Sequence, residues 1–315
     1  MEKKYKSKTN IVVVCWNALE YTKITLDSLF ATVHHPYFLT IIDNGSSDGS
    51  SDYLKNLQIS NLCEKYTLII NGVNNGYGGA INQGYKISEE YDMNYTCICN
   101  NDLFFQNNWL FLLEKCMNGN VSMGILGTLR LWPAANVLYH TQLEQELKDF
   151  QDRHIFKQVC QKMIEENGGG VEYLRCPPDA IVTYCALVRN SAVLKIGFLS
   201  DPQFEMYGSE DLDLSWKLQK IGYKCAVLKD AYIHHFRHRS ITASNLDRDK
   251  YLLQNNIKFY QKWGKDIFAF LDSERERGVN IWKNLTSEEN HEYWFLRRIQ
   301  EKINFTSEYI HIKRI

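Results

Sequence analysis

Three acids fall within four residues in the run Gly208-Ser209-Glu210-Asp211-Leu212-Asp213, where a loop is predicted to turn into a helix. Leu214, Leu218 and Ile221 recur at i, i+4 and i+7, which gives that helix an apolar face. Ser209 is placed to cap it, with Glu210 and Asp211 near the positive end of its dipole. A second acid stands far upstream, where an apolar run ends in Asn100-Asn101-Asp102. Downstream, Gly222 stops the helix, Cys225 to Leu228 reads as a strand, and His234, His235 and His238 follow. A strand-end carboxylate with an imidazole can hold a divalent cation, and a carboxylate in a first helical turn can take a proton from an attacking hydroxyl. Each motif alone is as well explained by a cap or a turn. Together they suggest a cation, a general base and hence an enzyme.

The spacing also limits the roles. Helical neighbours point about 100° apart, so Glu210 and Asp211 are expected to differ, one facing a cavity and the other bonding its loop. Asp213 reads as structural. His234 and His235 alternate across a strand, so at most one faces the site. Arg237, His238 and Arg239 are candidates for neutralising an anion.

The elements that must position these groups alternate strand and helix. Strands are predicted at Asn10 to Cys15, Phe38 to Asp43, Thr67 to Asn71, Tyr95 to Cys99 and Met123 to Leu129, with helices between them. The pattern predicts an α/β fold with a mostly parallel, doubly wound sheet, in which ligands sit beyond the carboxyl ends of the strands. Asn17, Asp43, Asn75 and Asp102 fall at that edge. Asp43 is placed either to bond a ligand or to close an Asx turn on its own backbone. The loop Asn74-Asn75-Gly76-Tyr77-Gly78-Gly79 allows close backbone approach, but its spacing matches neither a Walker A loop nor Gly-x-Gly-x-x-Gly. Asn100 and Asn101 either orient a ligand or shape the turn before Asp102. Residues 133–178 read as an insertion, with a charged helical stretch from Gln142 to Glu166, that covers the site or receives the acceptor. Ala180 to Val188 returns to strand character. Beyond Thr242 the chain reads as helical, from Tyr251 to Trp263 and from Glu288 to Ile303, and Ile310 to Ile315 as a short strand or tail.

With 315 residues, 44% hydrophobic and 23% charged, the chain is long enough for one large domain with an appendage. A net charge of −1 supplies no global field for nucleic acid. The basic start, Met1 to Lys8, has no signal-type apolar region after it, and Ile11 to Val14 is too short to span a bilayer. These features predict a cytoplasmic protein, with peripheral association at the inner face of a membrane left open. The nine cysteines include no Cys-x-x-Cys pair, so reduced, mostly buried thiols are expected.

The order and spacing of several runs resemble glycosyltransferase family 2 enzymes of the GT-A fold, near the rhamnosyltransferase-like branch. The runs are Val12-Val13-Val14-Cys15-Trp16-Asn17, Ile42-Asp43-Asn44-Gly45-Ser46-Ser47-Asp48-Gly49, Asn74 to Gly84, Asn100-Asn101-Asp102, Glu210-Asp211-Leu212-Asp213 and Asp230-Ala231-Tyr232-Ile233-His234-His235. The resemblance implies a Rossmann-like GT-A domain over residues 1–242, carrying the insertion at about 133–178, and a helical extension over residues 243–315. It implies inverting transfer of one sugar from a nucleotide-diphospho-sugar, dTDP-rhamnose or a UDP-hexose, to a glycan or lipid-linked glycan hydroxyl in bacterial surface polysaccharide or glycoconjugate synthesis. By position, Asp43 would bind the nucleobase or ribose, with Asn17, Asn75, Gly76, Asn100 and Asn101 as further nucleotide-sugar contacts. Asp102 and His235, or His234, would hold Mn²⁺ or Mg²⁺, and Asp211 would be the base with Glu210 beside it. Asn100 replaces the first acid of the family's Asp-x-Asp motif, which weakens the hold on the cation. The Gln-x-x-Arg-Trp motif of processive members is absent. The competing readings are an inactive sugar- or nucleotide-binding scaffold, which Asn100 favours, and a nucleotidyltransferase. The non-basic Trp16-Asn17-Ala18-Leu19-Glu20 disfavours the latter.

Overall fold

The computed structural model describes residues 8–130, 153–237, 239–244, 246–287 and 290–314. Its frame is four parallel strands: β1 (Thr9–Cys15), β2 (Tyr37–Asp43), β3 (Cys63–Ile70) and β4 (Tyr95–Asn100). Helices α1 (Leu19–Thr32), α2 (Ser50–Lys55) and α3 (Gly76–Glu90) connect them. Every residue of β1 and β2 is buried, as expected of parallel strands covered on both faces. Alternation sends Val12 and Val14 toward α3 and the C-terminal helices, and Ile11, Val13 and Cys15 toward α1 and α4 (Trp109–Asn118).

The sheet order is β3-β2-β1-β4-β8-β6-β9-β5, with β7 (Val171–Leu174) also paired to β9. The mixed character comes from β8 (Cys185–Arg189), antiparallel to both β4 and β6 (Met123–Leu129), while β9 (Lys224–His235) runs parallel to β6. From β1 the chain winds outward to β2 and β3, then returns to place β4 on the other side. The crevice at this switch lies beyond the carboxyl ends of β1 and β4, where Trp16 and the run Asn100 to Asp102 stand.

Two features missing from the sequence reading matter most. The short β5 (Leu103–Phe105) pairs antiparallel with the end of β9, setting Leu103 opposite His235 and Phe104 opposite His234. The strand read at Cys225 to Leu228 and the strand end read at His234 and His235 are one continuous 12-residue strand. The remaining helices are α5 (Arg153–Asn167), α6 (Asn190–Ile196), α7 (Glu210–Lys220), α8 (Arg239–Ser244), α9 (Arg248–Glu276), α10 (Ile281–Thr286), α11 (Trp294–Ile303) and α12 (Phe305–Arg314). The helix α12 corrects the expected strand or tail at Ile310 to Ile315. Residues 133–152 of the expected insertion, and His238, lie outside the described residues.

The C-terminal helices share a continuous apolar core with one face of the sheet. Phe259, Trp263 and Ile267 of α9 and Leu296 and Ile299 of α11 belong to the cluster that holds Val12, Ile98 and Trp216. Asp213, fully buried on α7, accepts from Trp263 Nε1 at 2.8 Å and pairs with Lys262 at 2.7 Å and Lys217 at 3.0 Å. It is the structural acid of the three. All nine cysteines are free, and Cys97, Cys99 and Cys185 pack together with sulfur separations of 3.9 Å from Cys99. Among the described residues, no helix is long and apolar enough to cross a membrane.

Candidate active site

A cavity of about 190 Å³ opens at the carboxyl edge of β1 and β4, and Asp102, His235, Glu210 and Asp211 all line it. Acids 109 positions apart in sequence thus meet in one crevice. At one end, the β5–β9 ladder brings Asp102 beside His235, with Phe236 N donating to Asp102 O at 2.9 Å. His235 Nε2 lies 3.1 Å from Asp102 Oδ1 and 3.3 Å from Asn100 Nδ2. The Tyr184 ring stacks on the imidazole at 4.8 Å and 20°, which fixes its plane. The Tyr184 hydroxyl donates to Leu129 O at 3.2 Å, and burial pushes its pKa up to about 12, so it stays neutral.

These groups pass a simple test as cation ligands. One ring nitrogen cannot serve an amide donor and a carboxylate acceptor at once. A cation accepting Nε2 and Oδ1 together removes that competition. Adjacent ligands of an octahedral ion with bonds of about 2.1 Å stand about 3 Å apart, close to the observed pair. A mixed imidazole and carboxylate set suits Mn²⁺ better than Mg²⁺. His234 is placed elsewhere. Fully buried, its Nδ1 is 3.0 Å from Tyr232 OH and its ring lies edge-on to Phe236 at 4.9 Å. Strand alternation decides this, and His234 is corrected to a core residue.

At the other end stands the first turn of α7. Ser209 has φ 73 and makes no side-chain cap bond; its Oγ donates to Asn256 Oδ1 at 3.2 Å. The expectation that only one of Glu210 and Asp211 faces the cavity is also corrected: both line it, because the cavity wraps the end of the helix. Burial first, and then the neighbouring Asp211 charge, push Glu210 up to about 8. Burial also raises Asp211, while the Arg298 guanidinium draws it back down. Burial and mutual repulsion thus push the pair toward its neutral form.

Several predicted contacts turn out to shape the loops. Asp43 is fully buried, accepts from Ser46 N at 3.1 Å and from the Ser51 hydroxyl, and does not line the cavity. In this structure its carboxylate closes an Asx turn. Asn17 likewise clamps loops, accepting from Ser47 N at 2.8 Å and donating to Ser244 Oγ at 2.6 Å. Asn75 and Gly76 lie off the cavity wall, which takes Asn44, Asn74 and Tyr77 instead. Gly76 has φ +75, and a Cβ there would stand 2.7 Å from Met206 N, so this glycine admits the 205–208 loop rather than a phosphate. Asn100 and Asn101 do line the cavity. Asn101 donates to Asn17 O and Thr22 Oγ1 at 2.9 and 2.8 Å and accepts from Ser240 Oγ at 3.0 Å, tying α1 and α8 to the turn before Asp102. Arg237 and Arg239 do not line the cavity, whereas Arg298 of α11 does.

Sequence reasoning missed Arg298 and Asn255. Asn255, 1% exposed, sits with Leu252, Phe259 and Trp263 on the buried face of α9. Its Nδ2 lies 2.7 to 3.0 Å from Glu205 O, Tyr207 O and Gly208 O, and its Oδ1 accepts from Glu205 N at 3.2 Å. It thus grips the loop that delivers Glu210 and Asp211. An amide at helical spacing among apolar residues was the available signal. Asn255→Ala is expected to lower stability by about 1–3 kcal/mol and to reduce turnover as the loop loosens. Thermal denaturation and initial rates check both, and unchanged rates would remove Asn255 from the support of the site.

The model of the Glycosyl transferase family 2 matches residues 10–176, and the chain belongs to that family. The poly-beta-1,6-N-acetyl-D-glucosamine synthase of Staphylococcus aureus (strain COL) is 22% identical over 214 residues, 68% of this chain and 46% of that protein. The chain thus spans about half the length of the curated relatives it matches. Among solved structures it is similar to the TarS 1-349 fragment of S. aureus, with TM-score 0.55, 12% identity and coverage of 96% of this chain and 74% of that one. It is also similar to the mannosyltransferase PcManGT of Pyrobaculum calidifontis, solved with GDP-Man and Mn²⁺, with TM-score 0.52, 13% identity and coverage of 82% and 66%. The fold is the α/β GT-A type, with a mostly parallel mixed sheet and C-terminal helices.

Proposed function

We propose that the protein is an inverting, divalent-cation-assisted glycosyltransferase that moves one sugar from a nucleotide-diphospho-sugar to an acceptor hydroxyl. The observation that carries this is the convergence of the Asp102–His235 pair and Asp211 on one cavity. Asp102 Oδ1 and His235 Nε2 would hold a divalent cation there, and Asn100 borders them. When bound, the cation offsets charge on the departing nucleoside diphosphate. Asp211, in its carboxylate form, takes the acceptor proton as the hydroxyl attacks the anomeric carbon from the opposite face. Glu210 stands beside it on the same cavity. Inversion in one displacement needs no enzyme nucleophile.

The names of the relatives, GDP-Man for one and an N-acetyl-D-glucosamine polymer for another, support a hexose or N-acetylhexosamine donor ahead of dTDP-rhamnose, and an acceptor in bacterial surface polysaccharide or glycoconjugate synthesis. Residues 1–242 form the transferase unit, and residues 243–315 complete its cavity. The protein works in the cytoplasm. Nucleoside diphosphate release from a panel of nucleotide sugars, with and without Mn²⁺, tests the reading. One or two donors should be cleaved, and only with the cation. No release and no binding of any donor would leave the inactive scaffold as the better account.

A further inference from the structure

We propose that Arg298, delivered by α11 from the C-terminal helices, is a positioning residue that balances the Glu210–Asp211 pair and holds Asp211 in place as the carboxylate facing the acceptor. This rests on the reading of Asp211 as the base. The matched family region ends at residue 176, well before either group.

The cavity supplies the first part of the case. Two adjacent acids in one helical turn face a half-enclosed space, where like charges repel more strongly than in open water. The helix dipole offers only a fraction of a charge in return. Arg298 borders the same space. Its guanidinium lies 4.5 Å from the Trp294 ring centre and 6.0 Å from that of Phe295, so two rings of its own helix restrict its swing.

The other charged and titratable groups around the pair do not take this role. Tyr77 of α3 donates its hydroxyl to Thr183 O at 2.8 Å. Arg248 of α9 lies over the Tyr207 ring at 5.5 Å. Asp102 and His235 line the same cavity and engage each other. Burial raises both acids, and Arg298 is the cation that draws both of them down. The C-terminal helices therefore complete the proton-accepting end of the cavity.

The sign follows directly. Turnover rises with pH as the base ionises, and removing a nearby positive charge makes ionisation harder. Replacing Arg298 should therefore move the acidic limb of the kcat/KM profile to higher pH. A displacement of one pH unit is about a tenfold loss at a fixed pH below the limb, with recovery toward the wild-type rate above it.

The experiment compares wild type, Arg298→Met and Arg298→Lys in donor turnover across pH, with UDP affinity and thermal denaturation measured alongside. Arg298→Gln replaces Arg298→Met if the latter does not fold. The expected result is a limb displaced upward in the neutral variant and largely restored by lysine, with UDP affinity little changed. A uniform loss at every pH, or an unmoved limb, overturns the proposal. The two readings fail differently: turnover surviving in Asp211→Asn removes the base itself, whereas an inactive Asp211→Asn beside an unmoved limb in Arg298→Met removes only the role of Arg298.

Discussion

Asp211→Asn is expected to lower turnover of the nucleotide sugar by about 10²–10⁴-fold, the contribution typical of a positioned general base. The substitution keeps the shape of the side chain and removes its capacity to take a proton, so donor affinity should change little. Burial and the adjacent acid push Glu210 toward its neutral form. Glu210→Gln mimics that neutral form and should retain most of the activity at neutral pH. The contrast between the two substitutions is the sharp part of the prediction. Equal losses in both would mean that the pair acts as a unit, and full activity in Asp211→Asn would require another base. Asp213→Ala should behave differently again. It leaves Lys217 without its partner, while Lys262 keeps Asp201 at 2.5 Å, and should cost about 3 kcal/mol of stability, visible as an earlier denaturation midpoint.

The second large effect belongs to the Asp102–His235 pair. Asp102→Ala and His235→Ala should each reduce cation-dependent turnover by about 10²–10³-fold, the scale of removing one preorganised electrostatic contact to the transition state. Both should also weaken Mn²⁺ binding measured by calorimetry in the presence of UDP. His234→Ala, one residue away, should leave Mn²⁺ binding intact and lower stability instead, because that ring is enclosed by Tyr232 and Phe236. If His234→Ala and His235→Ala affected Mn²⁺ alike, the metal assignment would lose its geometric basis.

Much of the frame was legible because it follows from local chemistry. The β-branched run of β1 reads as a strand buried on both faces, the alternation of strand and helix implies a parallel sheet, and such a sheet places its ligand edge at Asn17, Asp43 and Asp102. The period of two along β9 showed that only one of His234 and His235 could face the cavity. It could not say which, because that depends on the partner strand β5, three residues long and without a sequence signal of its own. Asp43 shows the limit from the other direction. Its position at a strand end was read correctly, but the backbone N–H of Ser46 and the hydroxyl of Ser51 already occupy its carboxylate.

The sequence by itself determined the α/β frame, the edge at which chemistry takes place, and the residue types present there. The tertiary structure alone decided which of them share a cavity. It turned His235 toward Asp102, brought Glu210, Asp211 and Arg298 to the same crevice, and set Asn255 of the C-terminal helices on the loop that carries the two acids. Periodicity reports the face of an element on which a side chain lies. Which other element that face meets depends on long-range packing, and no local pattern encodes it.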